Sequence, residues 1–341
     1  MAETTPKLPI QLPINAVLPQ LATALTDARR AVLVAPPGAG KTTGVPLALL
    51  GAEWAKDGKI ILIEPRRLAA KAAAERMADL SDEKLGDIIG LRMRLMSRVS
   101  AKTRVEVVTE GVFARMILDD PGLTGIAAVL FDEFHERSLD ADFGLALALD
   151  VAANLREDLR LLVMSATLDG ARVSGLLGHE VPLIEAQGRA FPVDTVYLGR
   201  DPNERIEEAL ARAVIRALNA EPGSILVFLP GQGEIARLAA LLADKISDPA
   251  IEIAPLYAGL DRSAQDRAIA PTPKGRRKIV LATSIAETSL TINGVRIVID
   301  SGLARVPRYE PDRGLTRLET VRVSRAAADQ RRGRAGRTEP G

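Results

Sequence analysis

"AVLVAPPGAGKTTGVPLALL", residues 31–50, decides the fold. Its first five residues are apolar without a break, as expected of a strand buried on both faces rather than one. A Pro/Gly-rich turn follows, and Lys41-Thr42-Thr43 then opens a second apolar run long enough for a helix. Gly38, Ala39 and Gly40 leave the backbone room to turn its N–H groups on one anion, and the helix N-terminus points its dipole at the same spot. Lys41 can reach the outer phosphates of a bound polyphosphate, and the Thr42 hydroxyl can ligate a hard cation. Gly38, Ala39, Gly40, Lys41, Thr42 and Thr43 are therefore the candidate nucleotide-binding residues. The strict pattern asks for glycine at position 35, where this chain has the nearly as small Ala35.

Working outward, apolar and β-branched runs recur at 59–64, 104–109, 127–132 and 160–166. Ala- and Leu-rich helical stretches lie between them, among them 67–80 and 141–155. The alternation predicts βαβ units around a parallel sheet. It restarts after a helix over 203–218, with strands at 224–230, 251–258, 277–283 and 295–301. The weakest link, 184–197, contains Gly188 and Pro192 and lacks a helical period, so the expected domains are 1–187 and 188–341. Near the end, Pro311, Asp312 and Gly314 supply turn chemistry between two strand-like arms, predicting a β-hairpin over 308–324.

The 341 residues are 47% apolar and 26% charged, which suits folded domains with sizeable cores. With no cysteine, disulfides, thiolate catalysis and Cys-ligated metal centres are excluded. A net charge of +1 gives no global attraction to nucleic acid, so any basic surface must be local. No apolar run approaches 18 residues and the N-terminus lacks a basic start, so the expectation is a cytoplasmic protein without a membrane partner.

A second segment, "VLFDEFHERSLDAD" (129–142), ends an apolar strand in charge. Ligands of open α/β sheets bind at the C-terminal strand edge, so this strand delivers Asp132 and Glu133 to the edge that carries the 36–41 loop. Thr42, Asp132 and Glu133 become the candidate Mg²⁺ site, with Glu133 also suited to polarising an attacking water. The opposing reading is a solvated charge cluster ending a strand.

These signals, with "SAT" at 165–167, resemble the superfamily 2 helicases of the DEAH-box class, bacterial HrpB type. The resemblance continues through "EPRRLAA" (64–70), "TEG" (109–111), "LVFLPGQGEI" (226–235), "ATSIAETSLTINGV" (282–295) and "QRRGRAGR" (330–337). It implies an α/β protein of two tandem RecA-like P-loop domains, each a mostly parallel sheet covered by helices, with ATP and Mg²⁺ as cofactors. It assigns Arg66, Arg67, Thr109, Gly111 and Thr283 to nucleic-acid phosphates, and His135, Ser165 and Thr167 to coupling hydrolysis with motion. Helical spacing would put Gln330, Arg334 and Arg337 on one face. The resemblance makes the two arginines fingers on the γ-phosphate and sets Gln330 near the attacking water. Arg76 and Asn293 are its candidates for base and ribose. Asn293 stands where relatives often carry Asp, and 266–273 offers no aromatic to sandwich adenine, which implies weak base discrimination. Phe134 replaces the alanine of the class name. The basic segment 90–104 fits an RNA path and a solvated surface equally well.

The implied activity is ATP hydrolysis coupled to movement on single-stranded nucleic acid, RNA before DNA, 3′ to 5′, by a monomer. An ATP-switched RNA clamp would need the same motifs, and no residue distinguishes 2′-hydroxyl readers from DNA helicases. Relatives continue past "QRRGRAGR" into further modules, so the expectation here is a core that hydrolyses ATP but unwinds weakly or not at all.

Overall fold

The computed structural model describes all of the chain except residues 1–11, 37, 167–169, 179, 188–190, 200, 202, 288–291, 293 and 338, and the side chains of 170–173 and 262. It divides into two compact units, Met1–Arg189 and Ala190–Gly341.

In the first unit, helix α1 (Leu18–Asp27) leads into strand β1 (Arg30–Val34), helix α2 (Lys41–Leu49), β2 (Lys59–Glu64) and α3 (Arg67–Leu80). The hairpin β3 (Ile89–Met93) and β4 (Met96–Arg98) comes next, then β5 (Val105–Thr109), α4 (Glu110–Asp119) and β6 (Ile126–Phe131). Helix α5 (Leu139–Asn154), β7 (Arg160–Ser165), α6 (Gly170–Leu177) and β8 (Leu183–Glu185) complete it. The sheet order is β4-β3-β5-β2-β6-β7-β1-β8, parallel except for the antiparallel edge strand β4. Strands that read as unbroken apolar runs are those with helices on both faces. Ile60 and Leu62 of β2 pack with Leu33 and Leu130 in one core, while Ile61 and Ile63 pack with Val32, Val129 and Phe131 in the other.

The second unit runs α7 (Ile206–Ala220), β9 (Ser224–Phe228), α8 (Gln232–Lys245), β10 (Ile251–Leu256), α9 (Arg262–Ile269), β11 (Arg277–Ala282) and β12 (Val295–Asp300). Hairpin strands β13 (Leu303–Glu310) and β14 (Leu315–Arg322) follow, then α10 (Arg325–Arg332). Its four-stranded parallel sheet has the order β10-β11-β9-β12. The hairpin begins five residues before its expected start. Its turn closes at Gly314, whose φ of 61° glycine adopts without the Cβ penalty.

Within the basic segment 90–104, residues 90–93 lie in β3 and 96–98 form β4, and Arg92 pairs with the buried Glu106. Two expectations need correction. Residues 184 and 185 lie in β8, paired with β1, rather than in an irregular link. Helix α10 ends at Arg332, with Gly333 as its cap, so Arg334 and Arg337 lie in the turns beyond it and share no helical face with Gln330.

Phe134 is 2% exposed and packs edge-on against Phe131 at 6.2 Å, which itself meets Phe113 at 5.7 Å. The guanidinium of Arg137 lies over its outer side, 5.5 Å from the ring centre. The aromatic thus anchors the acidic segment to the core. Phe134→Ala should cost about 3–5 kcal/mol in urea unfolding followed by circular dichroism, and Phe134→Leu much less; equal, near-zero losses would show the ring is not an anchor.

Candidate nucleotide site

Four strand ends of the first unit converge on the loop between β1 and α2. The loop depends on glycine at two positions, Gly38 at φ 83° and Gly40 at φ 90°. Gly40 is also closed in, since a Cβ there would lie 2.6 Å from Leu12 Cδ1. The Ile14 N–H donates to the Ala39 carbonyl at 3.1 Å, so the segment before α1 braces the loop from behind. Nothing in residues 12–17 marks that role in sequence.

Lys41 is buried at the start of α2, and its Nζ donates to Glu133 Oε1 at 2.8 Å and lies 3.8 Å from Asp132 Oδ1. The Thr42 hydroxyl donates to Asp132 Oδ2 at 2.5 Å, and the Glu133 N–H donates to Asp132 Oδ1 at 2.7 Å. Burial pulls the Lys41 ammonium down, but the Glu133 and Asp132 carboxylates outweigh it and the net displacement is upward. Asp132 is pushed up by burial, with Lys41 opposing. Glu133 sits in the left-handed region at φ 48°, a conformation that costs a non-glycine residue about 1–3 kcal/mol and clusters at functional sites.

His135 joins this group to β7. The Ala166 N–H donates to its Nδ1 at 3.2 Å, which leaves Nε2 to carry the proton, 3.4 Å from Glu133 Oε2. Burial pushes its pKa down, against the pull of Glu133, so the ring is held neutral. Ser165 is buried at the end of β7, and Thr167 lies outside the described residues. Glu64, at the end of β2, is wholly buried, and sequence reading missed it. Burial, then the charges of Asp132 and Glu133, raise its carboxyl well above the usual range.

A hydroxyl and a carboxylate oxygen already within bonding distance form a hard-oxygen pair of the kind Mg²⁺ takes. Among the described residues, no three His, Cys, Asp or Glu side chains are grouped to hold an ion by themselves. The donor set therefore fits a cation that takes its remaining ligands from water and phosphates.

Of the nucleic-acid candidates, Arg66 is held by Glu136, whose Oε2 accepts from its Nε and Nη2 at 3.2 Å each. Arg67 and Gly111 are exposed, Thr109 caps α4 without using its side chain, and Thr283 follows the end of β11. Arg76 is exposed on α3, and Asn293 lies outside the described residues.

In the second unit the arginines do separate work. Arg331 is 0% exposed. It donates to Glu287 Oε1 at 2.7 Å, to Asp300 Oδ1 at 2.7 Å and to the Leu303 carbonyl at 3.2 Å, and stacks on Phe228 at 4.9 Å. Arg334, nearly buried, donates to the Glu287 carbonyl at 2.8 Å, while Gln330 and Arg337 stay partly exposed. Glu287 thus ties the 330–337 segment to the 282–287 segment, a link no spacing reveals.

Residues 16–174 match the DEAD/DEAH box helicase family, and residues 205–339 match the helicase conserved C-terminal domain. This chain belongs to the DEAD/DEAH-box helicases. Over 330 residues it is 54% identical to the ATP-dependent RNA helicase HrpB of Escherichia coli K12, covering 97% of this chain and 40% of that protein. A crystal structure of the Escherichia coli DEAH/RHA helicase HrpB superposes with a TM-score of 0.91 at 53% identity, over 97% of this chain and 42% of the other. One described as the E. coli DExH-box NTPase HrpB gives 0.86 at 52%, over 98% and 41%. The chain thus spans about two-fifths of the length of these relatives. Its two units are tandem helicase domains.

Arg331→Ala would strand two carboxylates in the second helicase domain. A loss of about 3–5 kcal/mol is expected, read as a lower denaturant midpoint for that domain; Arg332→Ala, at an exposed position, should leave the midpoint in place.

Proposed function

We propose that this DEAD/DEAH-box helicase chain is a nucleoside triphosphate hydrolase that couples Mg·ATP hydrolysis to 3′-to-5′ movement on single-stranded RNA. The observation that carries the reading is the Lys41–Glu133 and Thr42–Asp132 pairing beside the glycine loop. It assembles a phosphate cation, a metal-binding oxygen pair and a base at one sheet edge. The name of the Escherichia coli relative, an ATP-dependent RNA helicase, supports ATP and RNA.

In this reading the loop N–H groups and Lys41 bind the outer phosphates. Lys41 then leaves Glu133 for phosphate oxygens, which frees the Glu133 carboxylate to orient a water. Glu133 takes that water's proton as its oxygen attacks the γ-phosphorus and the bond to the β-phosphate oxygen breaks. Mg²⁺ at Thr42 and Asp132 would offset the charge of the β- and γ-phosphates. Gln330 and Arg337 act on the attacking water and γ-phosphate, with Arg334 seated on Glu287. His135 links the charge state of Glu133 to Ala166, and so to Ser165 and Thr167.

Arg66, Arg67, Thr109, Gly111 and Thr283 grip backbone phosphates, a contact independent of sequence and weakened by salt. No helix among the described residues is long and apolar enough to cross a membrane.

ATP turnover measured in parallel with RNA, with DNA and without polymer should be highest with RNA, and Glu133→Gln should lower it by about 10²-fold or more while nucleotide still binds. Equal stimulation by DNA would make this a general single-strand motor. RNA binding gated by ATP without strand displacement or movement would make it a clamp. Undiminished turnover by Glu133→Gln would remove Glu133 from the chemistry.

A further inference from the structure

We propose that Glu136 is a positioning residue that carries the arrival of an RNA phosphate at Arg66 to Glu133, so that bound polymer sets the base for hydrolysis. The inference rests on reading Arg66 as a phosphate contact and Glu133 as the base. Three observations carry it. Arg66 donates from both Nε and Nη2 to a single oxygen, Glu136 Oε2, at 3.2 Å each. Glu136 closes the short 3₁₀ helix Phe134–Glu136, and its own N–H donates to the Glu133 carbonyl at 2.9 Å. Just beyond, the Ser138 hydroxyl donates to Glu110 Oε2 at 2.6 Å, which ties the same segment to the 109–111 loop, the second group of phosphate candidates.

The side chains of Arg66 and Glu136 are 26% and 17% exposed, so water and salt weaken the pair less than they would one on the open surface. A phosphate and the Glu136 carboxylate are rival anions for one guanidinium, whose fork fits either. When phosphate takes a share, the pull on Glu136 changes. The turn has little freedom to absorb that change. Phe134 is packed in the core, and the flanking residues, Glu133 at φ 48° and Arg137 at φ 51°, are both held in the left-handed region. Adjustment at Glu136 therefore reaches the Glu133 backbone through one hydrogen bond, and with it the carboxylate that meets Lys41 at 2.8 Å. Couplings between two sites typically amount to about 5- to 150-fold.

The test is ATP turnover by the whole chain, with and without saturating polyuridylate. Glu136→Ala and Arg66→Ala should each lower the ratio of saturated to polymer-free turnover by about fivefold or more. The double variant should fall no further than Arg66→Ala alone, because both changes cut one path. Multiplied losses would mean that Glu136 acts elsewhere, and would overturn the assignment. So would a loss confined to the RNA concentration needed for half-saturation, which would make Glu136 only an orienting group for Arg66. A residue with only a structural role would lower the melting temperature and both turnovers together and leave the ratio alone, again overturning it. If the wild-type chain is stimulated and Glu136→Ala keeps the full ratio, the assignment falls and the RNA-coupled reading stands. If polyuridylate does not stimulate the wild-type chain, both fall. Should Glu136→Ala fail to fold, Glu136→Gln, which keeps the length and removes the charge, is read in the same way.

Discussion

The placement of one ammonium among buried carboxylates organises the first helicase domain. Lys41 can be buried there only because Glu133 and Asp132 offset its desolvation. Those carboxylates can be buried only because Lys41, the Thr42 hydroxyl and a backbone N–H meet them. Each needs the others, so the loop after β1, the start of α2 and the end of β6 are held as one unit. The left-handed backbone at Glu133 is tolerated for the same reason. That backbone carries the carboxylate that Lys41 meets at 2.8 Å.

Support for this group comes from outside the motifs. The aromatic set Phe113, Phe131 and Phe134 fixes the acidic segment from below, and the Ile14–Ala39 hydrogen bond fixes the loop from behind. Phe134 departs from the class name, and its ring packs into the core while Glu133 on one side of it bonds Lys41 and His135 on the other approaches Glu133. His135 has the tautomer that its environment requires, with one nitrogen on the Ala166 amide and the other toward Glu133. The second domain repeats the principle with a guanidinium in place of the ammonium. There a buried arginine, Arg331, is made tolerable by Glu287, Asp300 and the Phe228 ring.

Local signals read well where they depend on neighbours in the chain. The helix over 67–80 matches α3 residue for residue, and the two-faced strands appear where unbroken apolar runs predict them. Signals that depend on distant residues read poorly. Edge strand β3 carries Arg92, whose charge is answered by the buried Glu106 of β5, which spacing cannot disclose. Helical periodicity carried through Gly333 failed, because the cap there turns the chain before Arg334.

By itself, the sequence determined the phosphate loop, the acidic strand end and the order of two α/β domains. These rest on residue type and local period, and backbone geometry converts both directly into strand, loop and helix. Only the tertiary structure decided which charges meet. It paired Lys41 with Glu133, set Arg66 on Glu136, made Arg331 a buried clamp and buried Glu64 beside Asp132. Pairing and burial depend on which strand ends lie side by side across the sheet, a long-range property that the spacing of residues along the chain does not contain.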